Sequence, residues 1–393
     1  MSEIDKDRPW GILTGIRPAK IATGLLDSGM TNSEAADYFV NELKTEPGKA
    51  ALALECAGAL VPVREKMLQN GVSLYIGIPF CPTRCLYCSF VTNGTKSAAR
   101  LMPEYIGCLE REIKYCADII RDNGSAVENV YIGGGTPTTL PPELLEKMLH
   151  AVTQSFDLSS LREFTVEAGR PDTITEEKLR ILKRYGVGRL SINPQSMNDE
   201  TLRVIGRAHT AQEIKTAMAL ARSCGFDCIN MDVIAGLPGE TLEMFKYTLN
   251  EVEKLKPENT TVHIMSIKRS SRLHENLSSY ALTDAGTVNE MADYAREFLA
   301  ECGKRPYYMY RQKNQLGNLE NVGYSVPGCE SLYNIYIMEE IQTIISMGCG
   351  GVTKTVDRET DRIERIFNVK EPKDYIERID EMLARKDVLR HDR

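Results

Sequence analysis

Three cysteines, Cys81, Cys85 and Cys88, stand within eight residues of one another in the stretch YIGIPFCPTRCLYCSF, spaced C-x3-C-x2-C. A structural zinc ion wants four nitrogen or sulfur ligands, yet the next cysteine, Cys108, is twenty residues further on and no histidine lies between. Three thiolates leave one metal position open, which suits an iron-sulfur cluster whose fourth iron binds something else. Other residues able to do chemistry follow at intervals: the run GGGTPT from Gly133 to Thr138, then Glu167 and Arg170, Gln195, Arg207 and His209, Asp232, and Lys268, Arg269 and Arg272. GGGTPT lacks the Gly-Lys-Ser/Thr ending of a phosphate loop, so its glycines serve either to turn the backbone or to bring it close to a ligand. Glu167 and Asp232 can accept from ribose hydroxyls or an ammonium group, and Arg207 can hold a carboxylate through two parallel N–H bonds. His209, in GRAHT, reads as a helix-end histidine.

These residues need a scaffold, and the text around them supplies one. Residues 14 to 70 read as helices, with apolar residues at helical spacing in TNSEAADYFVNEL and EPGKAALALECAGALVPVREKML. From residue 73 short β-rich runs appear: 73–78, 129–133, 163–168, 188–193, 228–236 and 261–267. Helix-like segments such as PPELLEKMLHAVTQSF and TLEMFKYTLNEVEKL separate them. Six strands alternating with helices predict a parallel sheet with right-handed crossovers, an α/β fold in the form of a partial (β/α)6 barrel. Chemistry in such sheets collects beyond the carboxyl ends of the strands, and the residues named above follow strands except Glu167, near the end of the third, and Asp232, which the fifth carries. Three units are expected: a helical N-terminal segment over 1–72, the barrel over 73–280, and a C-terminal α+β extension over 281–393 that covers the substrate.

Lys and Arg total 48 against 55 acidic residues, a net charge of −7, so there is no global basic footprint for nucleic acid. No apolar run reaches the roughly 18 residues a membrane span needs, and MSEIDKDRPW has no signal-peptide character, so a cytoplasmic location is expected. In a reducing compartment the eight cysteines outside the loop, Cys56, Cys108, Cys116, Cys224, Cys228, Cys302, Cys329 and Cys349, read mostly as small buried hydrophobes.

The cysteine spacing on a loop after the first strand, with Tyr87 between the last two thiols, resembles the radical S-adenosylmethionine superfamily. The segments YIGIPFCPTRCLYC, YIGGGTPT, TVEAGRP, LSINPQSMNDETLRVIGRAHT and INMDVIAGLPGET resemble one subfamily within it, oxygen-independent coproporphyrinogen III dehydrogenase and its relatives, over about residues 73 to 275. The resemblance implies a 4Fe-4S cluster on Cys81, Cys85 and Cys88 whose open iron chelates S-adenosylmethionine for one-electron cleavage to a 5′-deoxyadenosyl radical. It places Tyr75, Tyr87, Gly134 and Glu167 at that cofactor, with Tyr75 and Glu167 in the catalytic group and the bare GGGTPT backbone on the methionine amine and carboxylate. Gly135, Thr136, Gln195, Arg207 and Asp232 match positions that hold a second S-adenosylmethionine. A tetrapyrrole substrate and a reduced flavodoxin- or ferredoxin-type electron donor are implied as partners.

Two positions depart from the dehydrogenase: Phe90 replaces a cysteine and Gly77 a histidine. Phe90 is shared with a haem-chaperone branch, but that branch carries a histidine where this chain has Gly317, with Met309 as a substitute ligand. GILTGIRPAK, SIKRSSRL and YYMYRQKNQLGNLENVGY most resemble a third, dehydrogenase-like branch. Three activities therefore stand open: oxidative decarboxylation of coproporphyrinogen III to protoporphyrinogen IX, methyl transfer to a porphyrin or haem, and haem carriage. Lys268, Arg269, Arg272, Arg311 and Lys313 are the candidate partners for propionates. Tyr307, Tyr308 and Tyr310 either stack on a macrocycle or fill a core at strand spacing.

Overall fold

The computed structural model describes residues 9–15, 17–89, 95–357, 360 and 362–390. Three helices open the chain, α1 (Pro18–Asp27), α2 (Asn32–Asn41) and α3 (Pro47–Glu65). Proline at the first helical position, where no N–H is needed, starts α1 and α3. A capping box starts α2: Glu34 N–H donates to Thr31 Oγ1 at 3.3 Å while Thr31 N–H donates to the Glu34 carboxylate at 2.8 Å. No described helix is long and apolar enough to cross a membrane.

Six strands follow: β1 (Gly71–Ile78), β2 (Ala126–Gly134), β3 (Glu163–Glu167), β4 (Arg189–Ser191), β5 (Cys228–Ala235) and β6 (Asn259–Ile264). They lie side by side in chain order, every neighbouring pair parallel. The crossovers carry α4 (Thr95–Asp122), α5 (Pro142–Ser155), α6 (Glu176–Arg184), α7 (Asp199–Val204) with α8 (Ala211–Ser223), and α9 (Leu242–Lys254). Leu74, Ile76 and Ile78 of β1, with Val130 and Ile132 of β2, are fully buried in the main apolar core. Glu167 aligns with Ser191 and Ser191 with Asn230, so the carboxyl ends of β3 and β4 lie level with each other and with the first half of the longer β5. This is the partial barrel the sequence predicts.

After the short α10 (Arg272–Glu275) the C-terminal extension supplies α11 (Ala285–Glu301), β7 (Arg305–Tyr310), β8 (Asn321–Ser325), α12 (Leu332–Glu339), β9 (Thr343–Met347), β10 (Val352–Val356), β11 (Ile363–Phe367), α13 (Pro372–Glu377) and α14 (Ile379–Lys386). Its strands join the barrel sheet at both edges, giving the order β11-β10-β9-β1-β2-β3-β4-β5-β6-β8-β7. The sheet stays open. α3 packs on β7, with Leu60, Val63, Tyr307, Tyr308 and Tyr336 in a second apolar cluster. Trp10 Nε1 and Lys49 Nζ, 2.7 and 2.8 Å from the buried Glu320 carboxylate, tie the N-terminal segment to the start of β8.

Candidate functional site

The loop after β1 carries the three cysteines and is fixed from three sides. Leu86 N–H donates to Ile205 O (2.9 Å) and Thr83 Oγ1 to Gly206 O (3.1 Å), both beyond β4. Leu273 N–H, beyond β6, donates to Leu86 O at 3.0 Å. From the end of β3, the buried Arg170 donates from Nη1 to Thr83 Oγ1 at 3.0 Å and lies 3.8 Å from Cys85 Sγ. Its Nε and Nη2 grip the Asp172 carboxylate at 3.0 and 3.1 Å, which fixes the guanidinium plane. Phe80, fully buried, anchors the loop edge-on against Tyr105.

The donor set fits a polynuclear centre. Cys81 Sγ lies 3.4 Å from Thr136 Oγ1, Cys85 is buried under Arg170, and no two of the eleven cysteines are bonded to each other. Among the described residues no three His, Cys, Asp or Glu side chains converge on a point that one metal ion would occupy. A cluster asks for something else, one thiolate on each of three irons. Burial pushes the Cys81 thiol up to about 11, so a cationic centre is needed to hold it as a thiolate at neutral pH. Polar atoms left over around the loop point the same way: Gln195 Oε1, Arg207 Nε and both ring nitrogens of His209 are buried without a hydrogen-bond partner among the described residues.

The glycines after β2 are required by close approach. A Cβ on Gly135 would lie 2.6 Å from Phe80 O and one on Gly133 2.8 Å from the Tyr131 ring. Gly134 has φ +106°, a conformation only glycine adopts readily. The N–H groups of Gly135 and Thr136 donate to Ile78 O and Phe80 O, each at 2.7 Å, so these two amides clamp the cysteine loop instead of standing open to a methionine carboxylate. The expectation that the GGGTPT backbone binds the methionine amine and carboxylate therefore cannot draw on the amides of Gly135 and Thr136.

Glu167 is held at the end of β3. Tyr131 O–H donates to its Oε1 at 2.5 Å and Gly134 N–H supports the charge, but burial outweighs both and, with Asp232 nearby, pushes the carboxyl up to about 7. Tyr131 is stacked at 4.2 Å on Tyr333 of α12, and Tyr75 lies 5.7 Å from Tyr333 and 6.1 Å from Tyr131, ring centre to ring centre. The Tyr75 hydroxyl is 3.5 Å from the point a Cβ on Gly134 would take. Tyr75, Gly134 and Glu167 are thus neighbours.

Gln195, Arg207 and Asp232 meet the rim from different directions. Arg207 donates from Nη1 to the carbonyls of Gly169 (2.9 Å) and Asn193 (3.0 Å) and from Nη2 to Tyr87 O–H (3.1 Å), which sets it beside the cysteine loop. Gln195 sits at φ +68° with its backbone bridged to β5. It lines a cleft of about 200 Å³ with Tyr87, His263, Lys268, Tyr310 and Gln312. Burial works against the Asp232 charge, but hydrogen bonds from His263 and Asn230 outweigh it and hold the carboxyl below its ordinary range. Burial, followed by the nearby Arg207 and Arg170 charges, pushes His209 down to about 4, so it is neutral.

The basic and aromatic candidates divide. Lys268 is on the cleft wall. Arg269, Arg272 and Lys313 are exposed. Arg311 is committed elsewhere: it donates to Leu13 O at 2.7 Å and stacks over Trp10, so it ties down the N-terminal segment. Tyr307 and Tyr308 are core residues under α3, while Tyr310 lines the cleft. Met309 is fully buried and cannot serve as a haem ligand where it lies. A Cβ on Gly77 would come within 3.1 Å of Cys349 O, just after β9, so the C-terminal extension fills the place where the dehydrogenase has histidine. Phe90 lies outside the described residues. His263 and Tyr333 were missed. The inward alternation Asn259, Thr261, His263 along β6 was the available signal for the first; nothing local marks Tyr333, which is delivered by a helix far along the chain.

Comparison with known proteins bears on the family and the fold. The model of the Radical SAM superfamily matches residues 75–252. The oxygen-independent coproporphyrinogen-III oxidase-like protein HemZ of Bacillus subtilis (strain 168) is 45% identical over 377 residues, 94% of this chain and 75% of that protein. The chain belongs to the radical SAM superfamily, in its coproporphyrinogen-oxidase-like branch. Other radical SAM relatives are close too: the heme chaperone HemW of the same organism is 38% identical over 197 residues, 50% of this chain and 51% of the chaperone. The solved coproporphyrinogen III oxidase (HemN) of Escherichia coli superposes with a TM-score of 0.62 over 83% of this chain and 73% of that one, at 22% identity, a likeness of fold. Membership of this branch implies a 4Fe-4S cluster and S-adenosylmethionine, and the three thiols with their surrounding unpartnered polar atoms fit both.

Proposed function

We propose that this chain is a radical enzyme acting on a tetrapyrrole, removing carbon dioxide and hydrogen from the propionates of coproporphyrinogen III to leave vinyl groups. The observation that carries the reading is the cleft at the carboxyl rim: Tyr87, which stands between two of the cysteines, shares it with Lys268, Gln195 and Tyr310. A carboxylate-bearing ligand there would lie directly beside the cysteine loop. When bound, the cluster supplies the electron that cleaves S-adenosylmethionine to a 5′-deoxyadenosyl radical.

The chain's own residues do the rest. Cys81, Cys85 and Cys88 would hold the cluster, with Arg170 fixing their loop. Tyr75, Gly134 and Glu167 would orient the first cofactor, Glu167 accepting from its ammonium or ribose. The unpartnered Gln195 Oε1 and Arg207 Nε are the groups for a second one. Residues 281–393 would serve as the covering region, since Tyr310 and Gln312 close one wall of the cleft and Tyr333 roofs Glu167's partner Tyr131. A small flavin or iron-sulfur protein would deliver the electron.

Haem carriage is the second reading, favoured by the likeness to haem chaperones. Gly317 speaks against it: its φ of +65° and a Cβ position 3.3 Å from Leu319 leave poor room for a ligating histidine. The test is anaerobic incubation of the reconstituted chain with S-adenosylmethionine, a reductant, and either coproporphyrinogen III or haem, with products read by mass spectrometry. Vinyl products from coproporphyrinogen III support the reading. A methylated tetrapyrrole, or haem bound tightly with no product, overturns it.

A further inference from the structure

Asp232, expected to touch a ligand, is not on the cleft wall; His263 is. His263 Nε2 lies 3.5 Å from Asp232 Oδ2, and its Nδ1 is 3.4 Å from the Tyr310 hydroxyl. Asp232 is itself fixed by Asn230 Nδ2 at 2.7 Å, on β5. The three side chains come from β5, β6 and β7, and Tyr310 also faces the cleft. We propose that Asp232, His263 and Tyr310 form one hydrogen-bonded chain that presents the Tyr310 hydroxyl to a propionate carboxylate of the substrate, with Lys268 as its cationic companion.

The direction of the chain follows from its ends. Asp232 is a carboxylate and only accepts, so His263 Nε2 carries a hydrogen. With an anionic acceptor in the cleft, Tyr310 must give its hydrogen outward, so its oxygen accepts from Nδ1–H. Asn321 of β8, paired with Tyr310, lines the same cleft. Polarised this way the hydroxyl is a stronger donor than an isolated phenol. Lys268, half-buried on the same wall, adds charge that the chain as a whole, at −7, does not provide. Asp232 and His263 act here as positioning residues; Tyr310 and Lys268 touch the ligand.

The proposal rests on the tetrapyrrole reading, and the experiment separates the two. Binding of coproporphyrin III and of its neutral tetraamide to the reconstituted full chain is followed by fluorescence titration for the wild type, Tyr310→Phe, His263→Phe, the double variant and Lys268→Ala. Tyr310→Phe and His263→Phe should each weaken binding of the acid about tenfold, and the double variant should be no worse than either, since both break one chain. Lys268→Ala should add to either loss. The tetraamide should bind the wild type weakly and all variants alike. Wild-type affinity in Tyr310→Phe, or independent losses in the double variant, overturns the hydrogen-bonded chain while leaving the tetrapyrrole reading standing. If the wild type binds neither porphyrin, the tetrapyrrole reading falls and takes this inference with it.

Discussion

Glu167→Gln should make the protein more stable and less active. In the folded chain burial pushes the Glu167 carboxyl up to about 7, against an ordinary value of 4.5. The folded state therefore binds that proton more tightly than the unfolded chain does. Its contribution to stability is fully present below about pH 4.5 and is lost as pH rises through about 7, because the ionised group must then be kept buried. A gap of 7 less 4.5, about 2.5 units at about 1.36 kcal/mol each, makes the cost roughly 3 kcal/mol at pH 8. Glutamine keeps an oxygen for Tyr131 and never ionises, so it removes this cost. With an unfolding entropy of about 2.1 cal/mol/K per residue over the 393-residue chain, 3 kcal/mol corresponds to about 3 to 4 °C in Tm. The wild-type pH profile alone does not isolate the effect, since burial also pushes Glu240 and Glu339 up to about 7. The assay is therefore the difference in Tm between variant and wild type, measured by anaerobic thermal scanning without cofactor from pH 5 to 8. The difference should grow from near zero to several degrees in favour of the variant, while S-adenosylmethionine cleavage falls. A variant that is less stable at pH 8, or equally displaced at every pH, would refute the buried-charge argument.

Further outcomes follow from the same geometry. Replacing Cys81, Cys85 or Cys88 by Ala should abolish binding of the about four irons and four sulfides expected on anaerobic reconstitution; stoichiometric zinc without sulfide in the native protein would show the donor set misread. Gly135→Ala places a Cβ 2.6 Å from Phe80 O and should push the cysteine loop out of place, lowering cluster occupancy as measured by iron and sulfide content. Arg170→Ala strips the loop of its Thr83 and Cys85 contacts and leaves Asp172 without its partner, so the cluster should be lost faster on brief exposure to air while circular dichroism stays near that of the wild type. Arg207→Ala should keep the cluster and one bound cofactor yet lose turnover, costing about 2 to 4 kcal/mol in affinity for the second; equilibrium dialysis showing one cofactor per cluster in the wild type, with full turnover in the variant, would remove that site.

The barrel was legible because each of its six strands is a short apolar run followed by a glycine-rich or polar turn and an amphipathic helix. That pattern survives without knowledge of what packs on it. The thiols were legible because their spacing is local. What the sequence concealed is set by distant contacts. The strands β9 and β8 add to opposite edges of the barrel, so the extension is woven into the sheet. Tyr333, more than 160 residues from Glu167, reaches the barrel interior only because α12 lies where it does. Arg311 looked like a propionate ligand by composition but is spent on the carbonyls of Leu13 and Gly15. His263 hid as one residue in a strand, and its meaning came from Asp232 and Tyr310 on neighbouring strands.

The central claim, that a radical generated beside the cysteine loop acts on a propionate held at the rim, is tested most directly by tracing hydrogen. Coproporphyrinogen III carrying deuterium at the propionate β-carbons is incubated anaerobically with the reconstituted protein, S-adenosylmethionine and a reductant, and the 5′-deoxyadenosine is analysed by mass spectrometry. Deuterium in the 5′-deoxyadenosine, rising with vinyl product, is the predicted result. Deuterium-free 5′-deoxyadenosine formed alongside unchanged or methylated substrate would contradict the account.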